Sequence, residues 1–306
     1  MKARLVNFLK ILLRISVIII FLLAFKFISA KTQSLGHLNV FIFAGQSNMA
    51  GTDALIGGTG KQNLADAGLQ TQTDRNTFFT YGTGSTLIYN TILRPWGDIR
   101  GHLGTSSVFP GNYYVHGPEV GFERVLAANG VDNIAIIKVA NNYSALENGR
   151  SAWVKGNSIY TSLTSFVNQR LQDLTNLGYT YTIRGFIWHQ GIDDAILGRS
   201  QTDYRNDLIQ IISDLRNDYG TVSTPFVLAR SVNNPIVGAV KMAPIRAAQV
   251  NVASSVAYTG WINIDDLTPY INSVHLSAQS QITAGERFAT AWLSLTKKEN
   301  KIKKIL

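Results

Sequence analysis

Ser47 is the residue in this sequence whose type and position best suit covalent chemistry. It follows the run Val40–Ala44, which is continuously apolar and rich in β-branched and aromatic residues, as in a strand covered on both faces of a parallel sheet. The small and polar residues from Gly45 to Asn48 then predict a tight turn. Open α/β sheets place ligands and nucleophiles just past the carboxyl ends of their strands. The competing interpretation is a polar turn that only leaves a core strand.

A nucleophilic serine needs a base that accepts its proton, and histidine is the usual choice. The chain has five histidines, which are His37, His102, His116, His189 and His275. His189 follows the third predicted strand, and His275 lies between the fifth predicted strand and the last helix. Both positions are at the carboxyl edge of the sheet, where Ser47 also lies. Position alone leaves the choice open, and a single loop histidine is more often simply solvated.

Apolar runs alternate with helical patterns along the chain and predict the sheet that must position Ser47. The runs are typical of buried strands and cover Val40–Ala44, Asn133–Val139, Ile183–Trp188, Pro225–Ala229 and Val256–Ile264. Helical signals alternate with them at His116–Glu119, Asn157–Leu177, Tyr204–Leu215, Ala243–Ser254 and from Ser277 onward. Because crossovers between parallel strands are right-handed, this alternation predicts an α/β fold with a three-layer, doubly wound parallel sheet of five strands.

A long loop excursion is predicted after the first strand. The stretch Thr52–Tyr114 is rich in Gly, Thr, Asn and Asp and shows no sustained period. Short strands are predicted within it around Thr77–Tyr81 and Thr86–Tyr89. Loops of this length in a compact domain commonly carry function.

The positive charge of the chain is concentrated at its two ends. The formal net charge is +9. Residues 1–31 carry six basic side chains and no acidic one, and residues 297–306 carry five lysines and a single glutamate. The segment 32–296 is therefore close to neutral, which argues against a nucleic-acid partner. We predict one domain at 32–296, followed by a basic tail.

The N-terminus has the order of features that an export signal has. Basic residues precede the apolar run Ile15–Phe25, and Ser29 and Ala30 then provide a small-residue cleavage site. The run has eleven residues, which is short for a bilayer-spanning helix. We predict residues 1–31 as a signal peptide, with an uncleaved membrane anchor at 5–28 as the alternative. Both interpretations place the domain outside the cytoplasm, and contact with a membrane is expected only through this segment and only if it is uncleaved.

No cofactor or metal is predicted. The chain has no cysteine, which excludes zinc–thiolate sites, thiol redox chemistry and a cysteine nucleophile. The histidines show no ligand-like spacing, and the sequence has neither a dinucleotide-binding GxGxxG motif nor a P-loop.

Several segments resemble the SGNH-type carbohydrate esterases, specifically the sialate O-acetylesterase-like group (carbohydrate esterase family 6). The matching segments are GQSNMAG around Ser47, GPEVGF from Gly117, KVANNYSAL from Lys138, WHQG from Trp188, IRAAQ from Ile245 and NSVHLSAQSQITAGERFA from Asn272. The resemblance implies the flavodoxin-like strand order 2-1-3-4-5. It also implies hydrolysis of acetyl esters on a carbohydrate.

The resemblance assigns roles to individual residues. It implies that Ser47 is the nucleophile and that His275 is the base. The Ser47 backbone N–H is implied as an oxyanion donor. The remaining oxyanion or substrate-binding candidates are Gln190 through its side chain, Asn142 through its backbone N–H, and Gln46 and Asn48 beside the serine.

Three positions depart from the family pattern and lead us to expect weakened activity. Asn272 stands where an aspartate should orient His275, and an amide supports an imidazolium only partly. Asp265–Asp266 is the alternative source of that carboxylate. The usual Gly-Gly is Asn142–Tyr143, where Asn142 is expected to keep the turn because asparagine tolerates positive φ. Ile192 replaces a glutamate after HQG.

The sequence therefore predicts an exported serine ester hydrolase that removes O-acetyl groups from a carbohydrate. Its partner is an acetylated carbohydrate substrate. The alternative is a non-catalytic protein of the same fold that binds a glycan or another protein.

Overall fold

A seven-stranded sheet forms the centre of the computed structural model. The model describes residues 35–54, 78–82, 94–95, 102–105, 112–147, 152–234, 236–267 and 274–303. The strands are β1 (Gly36–Gly45), β2 (Phe78–Gly82), β3 (Arg94–Pro95), β4 (His102–Thr105), β5 (Asn112–Val115), β6 (Ile134–Ala140), β7 (Tyr179–His189), β8 (Phe226–Arg230) and β9 (Thr259–Asn263). The helices are α1 (Ser47–Ala50), α2 (Glu119–Ala128), α3 (Ser158–Asn176), α4 (Ile192–Ile196), α5 (Gln201–Tyr219), α6 (Ala239–Ser255) and α7 (Ala278–Lys303).

The strand order is β3-β2-β6-β1-β7-β8-β9. The five predicted strands correspond to β6, β1, β7, β8 and β9. Each of these strands is parallel to the strand beside it in this set. This confirms the five-stranded parallel sheet and its 2-1-3-4-5 order. The predicted excursion adds β2, which pairs parallel with β6, and the short antiparallel edge strand β3. It also contributes the separate hairpin of β4 and β5. The strand predicted at Thr86–Tyr89 lies outside the described residues.

Strand β1 is apolar throughout because helices cover both of its faces. Val40, Ile42 and Ala44 belong to one core, which α3, α5 and α6 complete. Phe41 and Phe43 belong to the other core, which α2 and α7 complete. All five side chains are buried. The unbroken apolar run that predicted a buried strand thus has its expected cause.

The carboxyl ends of three neighbouring strands are in register. Gly45 of β1 pairs with Ala140 of β6 on one side and with His189 of β7 on the other. The chain leaves β1 toward β6 and later returns to β7, so β1 marks the point where the strand order reverses. Ligands of open α/β sheets bind at such points. The segments that directly follow these strands contain Ser47, Asn142 and Gln190.

Candidate active site

Ser47 begins a one-turn helix immediately after β1. Gly45 has φ 153°, and a Cβ there would lie 2.2 Å from the carbonyl oxygen of His189, so the turn requires glycine. The Gln46 N–H donates to the same carbonyl at 3.0 Å, and the Met49 N–H donates to the Gln46 carbonyl at 2.8 Å. Ser47 occupies the first helical position, where a backbone N–H has no acceptor within the helix. That N–H is suited to bind an oxyanion.

Asn48 ties the serine turn to the backbone on both sides of His275. The Leu276 N–H donates to Asn48 Oδ1 at 2.9 Å, and Asn48 Nδ2 donates to the Val274 carbonyl at 3.4 Å. Gln281 Nε2 also donates to the Asn48 carbonyl at 2.8 Å. The residue after the candidate nucleophile therefore holds the segment of the candidate base. The turn that carries Ser47 and the segment that carries His275 are therefore adjacent.

Asp53 supplies a carboxylate to His275. His275 Nδ1 and Asp53 Oδ2 are 2.7 Å apart, and Asp53 is fully buried. A carboxylate on Nδ1 fixes the proton there, which leaves Nε2 as the proton acceptor. Asp53 follows the serine by six residues and adopts φ 66°. Asp53 was not predicted from the sequence, because it falls in the predicted loop excursion; an acidic residue directly after the GQSNMAGT turn was the available signal.

The other carboxylate candidates lie elsewhere. Asp265 binds Arg246 at 2.7 Å and also pairs with Arg230, and the hydrogen bond from Arg246 holds its pKa below the usual value. Asp266 pairs with Arg287 at 2.6 Å, which lowers its pKa to about 2. Both carboxylates are engaged by arginines rather than by a histidine. Asn272, the predicted orienting residue, lies outside the described residues.

Gln46 joins the ends of β1 and β7. Its Oε1 accepts the N–H groups of Gly191 and Ile192 at 2.7 and 3.0 Å, and its Nε2 donates to Asp193 at 3.2 Å. Gln46 caps the first N–H groups of α4 from outside that helix. It therefore positions the segment after β7 against the serine turn. Ile192, which replaces the expected glutamate, contributes its backbone N–H to this arrangement.

Gln190 donates both hydrogens of its amide nitrogen within the protein. Its Nε2 donates to the Ser144 carbonyl at 3.0 Å and to the carboxylate of Asp194. Burial raises the pKa of Asp194 to about 6, although the hydrogen bond from Gln190 favours its charged form. Gln249 Nε2 and the Tyr204 hydroxyl donate to the Gln190 carbonyl at 2.8 and 3.2 Å. The Gln190 side chain thus connects β7 to the turn after β6.

The turn after β6 uses Tyr143, not Asn142, for its left-handed residue. Tyr143 has φ 57°, whereas Asn142 has a negative φ, so the expectation for Asn142 was wrong. The turn starts from an Asn141 N–H that donates to the Gly45 carbonyl at 2.9 Å. Thr52 Oγ1 donates to Asn142 Oδ1 at 3.5 Å. Asn142 therefore lies beside the segment that carries Asp53.

Lys138 and Glu119 form a buried ion pair behind the serine helix. Lys138 Nζ donates to Glu119 Oε1 at 2.8 Å and to the Ala50 carbonyl at 3.4 Å. Glu119 Oε1 also accepts the Gly117 N–H at 2.9 Å. Desolvation lowers the pKa of the lysine, and the glutamate opposes this effect. The pair connects the GPE segment to the last residue of α1.

His116 packs against the segment between the serine and Asp53. Gly51 has φ 86°, and a Cβ there would lie 2.2 Å from the His116 carbonyl oxygen. The His116 N–H donates to the Ala54 carbonyl at 3.4 Å, and its Nδ1 donates to the Gly117 carbonyl at 3.0 Å. Burial lowers the pKa of His116. This histidine is buried and has a structural position rather than that of a solvated loop residue.

We expect Glu119→Gln to lower the free energy of unfolding by about 3 kcal/mol, because it leaves Lys138 buried without a full countercharge. Urea unfolding measures this loss. The double variant Lys138→Met/Glu119→Leu should recover most of the stability, since apolar replacement of a buried pair is often neutral. The kcat of the double variant should nevertheless be lower than that of the unmodified protein, because the Ala50 carbonyl has lost the lysine donor. Full recovery of kcat in the double variant contradicts a positioning role.

His189 is a buried histidine next to His275. Burial, together with the charge of His275, lowers its pKa to about 4. Its Nδ1 has no hydrogen-bond partner among the described residues. The ring makes an edge contact with Phe288, with centroids 6.4 Å apart. His189 therefore stays neutral at physiological pH.

Acidification should destabilise the protein through His189. The pKa of His189 is lower in the folded protein than the unfolded value of about 6.5. The stability that neutral His189 contributes is therefore fully present above pH 6.5 and is lost as the pH falls toward 4. Asp194 acts in the opposite direction, because its raised pKa costs stability as the pH rises through 6. His189→Leu leaves Asp194 unchanged and should reduce the loss between pH 6.5 and 4 by about 3 kcal/mol. Denaturant titrations at several pH values measure the free energy of unfolding of both proteins. If that free energy falls equally with pH in both, His189 is not the source of the loss.

No group of three or more His, Cys, Asp or Glu residues in the described ranges could hold a metal ion. None of the helices in the described part of the chain combines the length and apolar character needed to cross a membrane. The N-terminal segment 5–28, for which an anchor was considered, is not part of those ranges.

Several solved structures share this fold. A protein from Arabidopsis thaliana is 18% identical with a TM-score of 0.61, and the match covers 84% of this chain and 98% of that one. NanS is 14% identical with a TM-score of 0.57, covering 87% and 99%. A carbohydrate acetylesterase from Xanthomonas citri is 19% identical with a TM-score of 0.56, covering 83% of this chain and 55% of that one. A search of curated proteins gives no significant match.

The doubly wound sheet and these structural relatives define the class: an α/β fold similar to that of the SGNH-type carbohydrate esterases. The chain belongs to the carbohydrate esterase family of sialic acid-specific acetylesterases, whose family model matches residues 37–294. The resemblance stated from the motifs is confirmed. Family and fold together support an esterase function in general terms.

Proposed function

We propose that the chain is a serine esterase that removes O-acetyl groups from a carbohydrate, with Ser47, His275 and Asp53 as its catalytic triad. The contact between Asp53 and His275 is the main support for this function. The Asp53 carboxylate lies 2.7 Å from His275 Nδ1, while Asn48 links the backbone on both sides of that histidine to the serine turn. A buried histidine in contact with a buried carboxylate beside a strand-end serine is the arrangement that activates a hydroxyl.

The reaction proceeds in two acyl transfers. His275 Nε2 accepts the hydroxyl proton as Ser47 Oγ forms a bond to the acetyl carbonyl carbon. The C–O bond to the sugar then breaks, and the imidazolium returns the proton to the departing sugar oxygen. Water attacks the acetyl-serine in the same manner and releases acetate. Asp53 keeps the imidazole oriented and stabilises its charged form in both halves.

The oxyanion of each tetrahedral intermediate is bound by backbone donors. We assign the Ser47 N–H, at the first position of α1, and the Asn142 N–H, in the turn that follows β6. Gln190 was the predicted side-chain donor. Because its amide hydrogens are donated to Ser144 and Asp194, we assign it to positioning the turn that carries Asn142.

The Asp53 carboxylate changes what is expected of the altered family positions. The prediction of weakened activity rested mainly on Asn272, which cannot act as a carboxylate. With Asp53 on His275 Nδ1, the imidazolium has its negative partner. We therefore propose that Asn272 does not limit catalysis. Ile192 contributes through its backbone, which an isoleucine provides as well as a glutamate does.

Non-catalytic binding is the second candidate, and the engaged Gln190 amide favours it, because one expected oxyanion donor is occupied. A fluorophosphonate probe distinguishes the two functions. The full-length protein should react at Ser47, as peptide mass spectrometry would show. Asp53→Asn should slow the reaction strongly, and Ser254→Ala, which changes an exposed serine in the last turn of α6, should not. A folded protein that does not react at Ser47 is a binding protein and not an esterase.

We also propose that the domain acts outside the cytoplasm. The support is the sequence pattern of residues 1–31, with a basic flank, an apolar run and small residues at Ser29 and Ala30. N-terminal sequencing of the protein from its own host tests this proposal. A mature chain that begins near Lys31 supports a cleaved signal, and Met1 in a membrane fraction supports the anchor.

A further inference from the structure

Tyr143 is an exposed aromatic residue at the edge of the candidate active site. It directly follows Asn142 and lies three residues beyond Ala140, whose β1 partner Gly45 precedes the serine turn. The residue is 68% exposed. Among the large hydrophobic side chains that are exposed in the described ranges, Tyr143 is the only aromatic one. Its position is therefore not explained by packing in either core.

The surrounding structure holds Tyr143 in a costly backbone conformation. A non-glycine residue with φ 57° is strained, and such strain persists only where neighbouring contacts determine the backbone. Those contacts belong to Ser144, which is fully buried. Its Oγ donates to the Asn141 carbonyl at 2.6 Å and accepts from Trp153 Nε1 at 2.8 Å, and its carbonyl accepts from Gln190. Both flanks of Tyr143 are thus fixed while its side chain faces solvent.

We propose that Tyr143 is the sugar-binding platform of the site, on which the apolar C–H face of a pyranose ring stacks while its acetyl ester reaches Ser47. This inference rests on the proposed function and adds the substrate-recognising residue to it. The tyrosine ring offers a rigid, amphipathic surface that loses little conformational freedom on binding. A pyranose has the matching chemistry, since its axial C–H bonds form an apolar face and its hydroxyls remain in water.

The test compares two esters that carry the same acetyl group. O-Acetylated sialic acid presents a pyranose ring, and ethyl acetate does not. Tyr143→Asn removes the ring and keeps a residue that tolerates positive φ, and Tyr143→Phe keeps the ring. We expect Tyr143→Asn to raise KM for the sugar ester about tenfold with little change in kcat, and to leave kcat/KM for ethyl acetate unchanged. Tyr143→Phe should behave as the unmodified protein does.

A binding measurement separates this inference from the proposed function. Calorimetric titration of Ser47→Ala with O-acetylated sialic acid needs no turnover, and adding Tyr143→Asn should weaken the affinity about tenfold. If neither ester is hydrolysed but this loss of affinity is seen, the esterase proposal fails and the sugar platform stands. Equal affinities with and without the tyrosine ring overturn the platform, as does an equal loss of kcat/KM on both esters. The absence of detectable sugar binding to folded Ser47→Ala also overturns it.

Discussion

Replacing Asp53 with asparagine should lower kcat for acetyl-ester hydrolysis by about ten-thousand-fold, the scale of the same replacement in a serine protease triad. The side chains have nearly equal volume, so the fold should be preserved. An amide on His275 Nδ1 neither stabilises the imidazolium nor enforces the tautomer that leaves Nε2 as acceptor. Steady-state kinetics on a chromogenic acetyl ester measure the loss, and thermal unfolding checks the fold.

Asn272→Asp is the matched control for this prediction. If Asn272 were the orienting residue, an aspartate there would raise turnover greatly. Because we assign that role to Asp53, we expect the variant to hydrolyse the ester at nearly the unmodified rate. A large gain in Asn272→Asp, with little loss in Asp53→Asn, would contradict the assignment and restore Asn272 as the residue that limits catalysis.

Ser47→Ala and His275→Ala should each lower kcat by about a million-fold, the scale reported for the corresponding changes in a subtilisin-type triad. The two groups act as one unit, because the histidine has no proton to accept once the serine hydroxyl is gone. The double variant should therefore be no slower than either single one. Single-turnover assays on the purified variants measure the residual rates.

The double variant shows whether Ser47 and His275 act together or independently. Multiplicative losses in the double variant would mean that Ser47 and His275 act independently, which a nucleophile and its base cannot do. His37→Ala is a suitable control. His37 lies near the start of β1, at the opposite end of the strand from Ser47, and its ring is hydrogen-bonded to Thr180 and Thr182. The His37→Ala variant should leave kcat unchanged.

The fold could be predicted from the sequence because the parallel strands are buried on both faces. Val40–Ala44 is apolar at every position, and its five side chains lie in two cores. The ends of strands and helices were predicted less well where their residues are only partly buried. Strand β7 begins at Tyr179 rather than at Ile183, because its first residues alternate between exposed and half-buried positions. Helix α6 begins at Ala239, which places Pro244 in the helix interior rather than at its start.

The sequence also indicated the proposed nucleophile and base, but it did not indicate the carboxylate that contacts the base. Ser47 follows a strongly patterned strand, and the motif blocks indicated His275. Asp53 lies in a turn without periodic pattern, and it reaches His275 across 222 positions of sequence, a contact that only the folded chain creates. The left-handed residue of the β6 turn was misplaced by one position, because tertiary contacts of Ser144 override the intrinsic preference of asparagine.

Acetate release from O-acetylated sialic acid by the full-length protein tests the central claim most directly. Enzymatic detection of acetate compares the unmodified chain with Ser47→Ala at equal concentration of folded protein. We expect continuous, saturable release of acetate by the unmodified chain and release at the uncatalysed rate by the variant. Equal rates for the two proteins, or no release by a folded, unmodified chain, would contradict it.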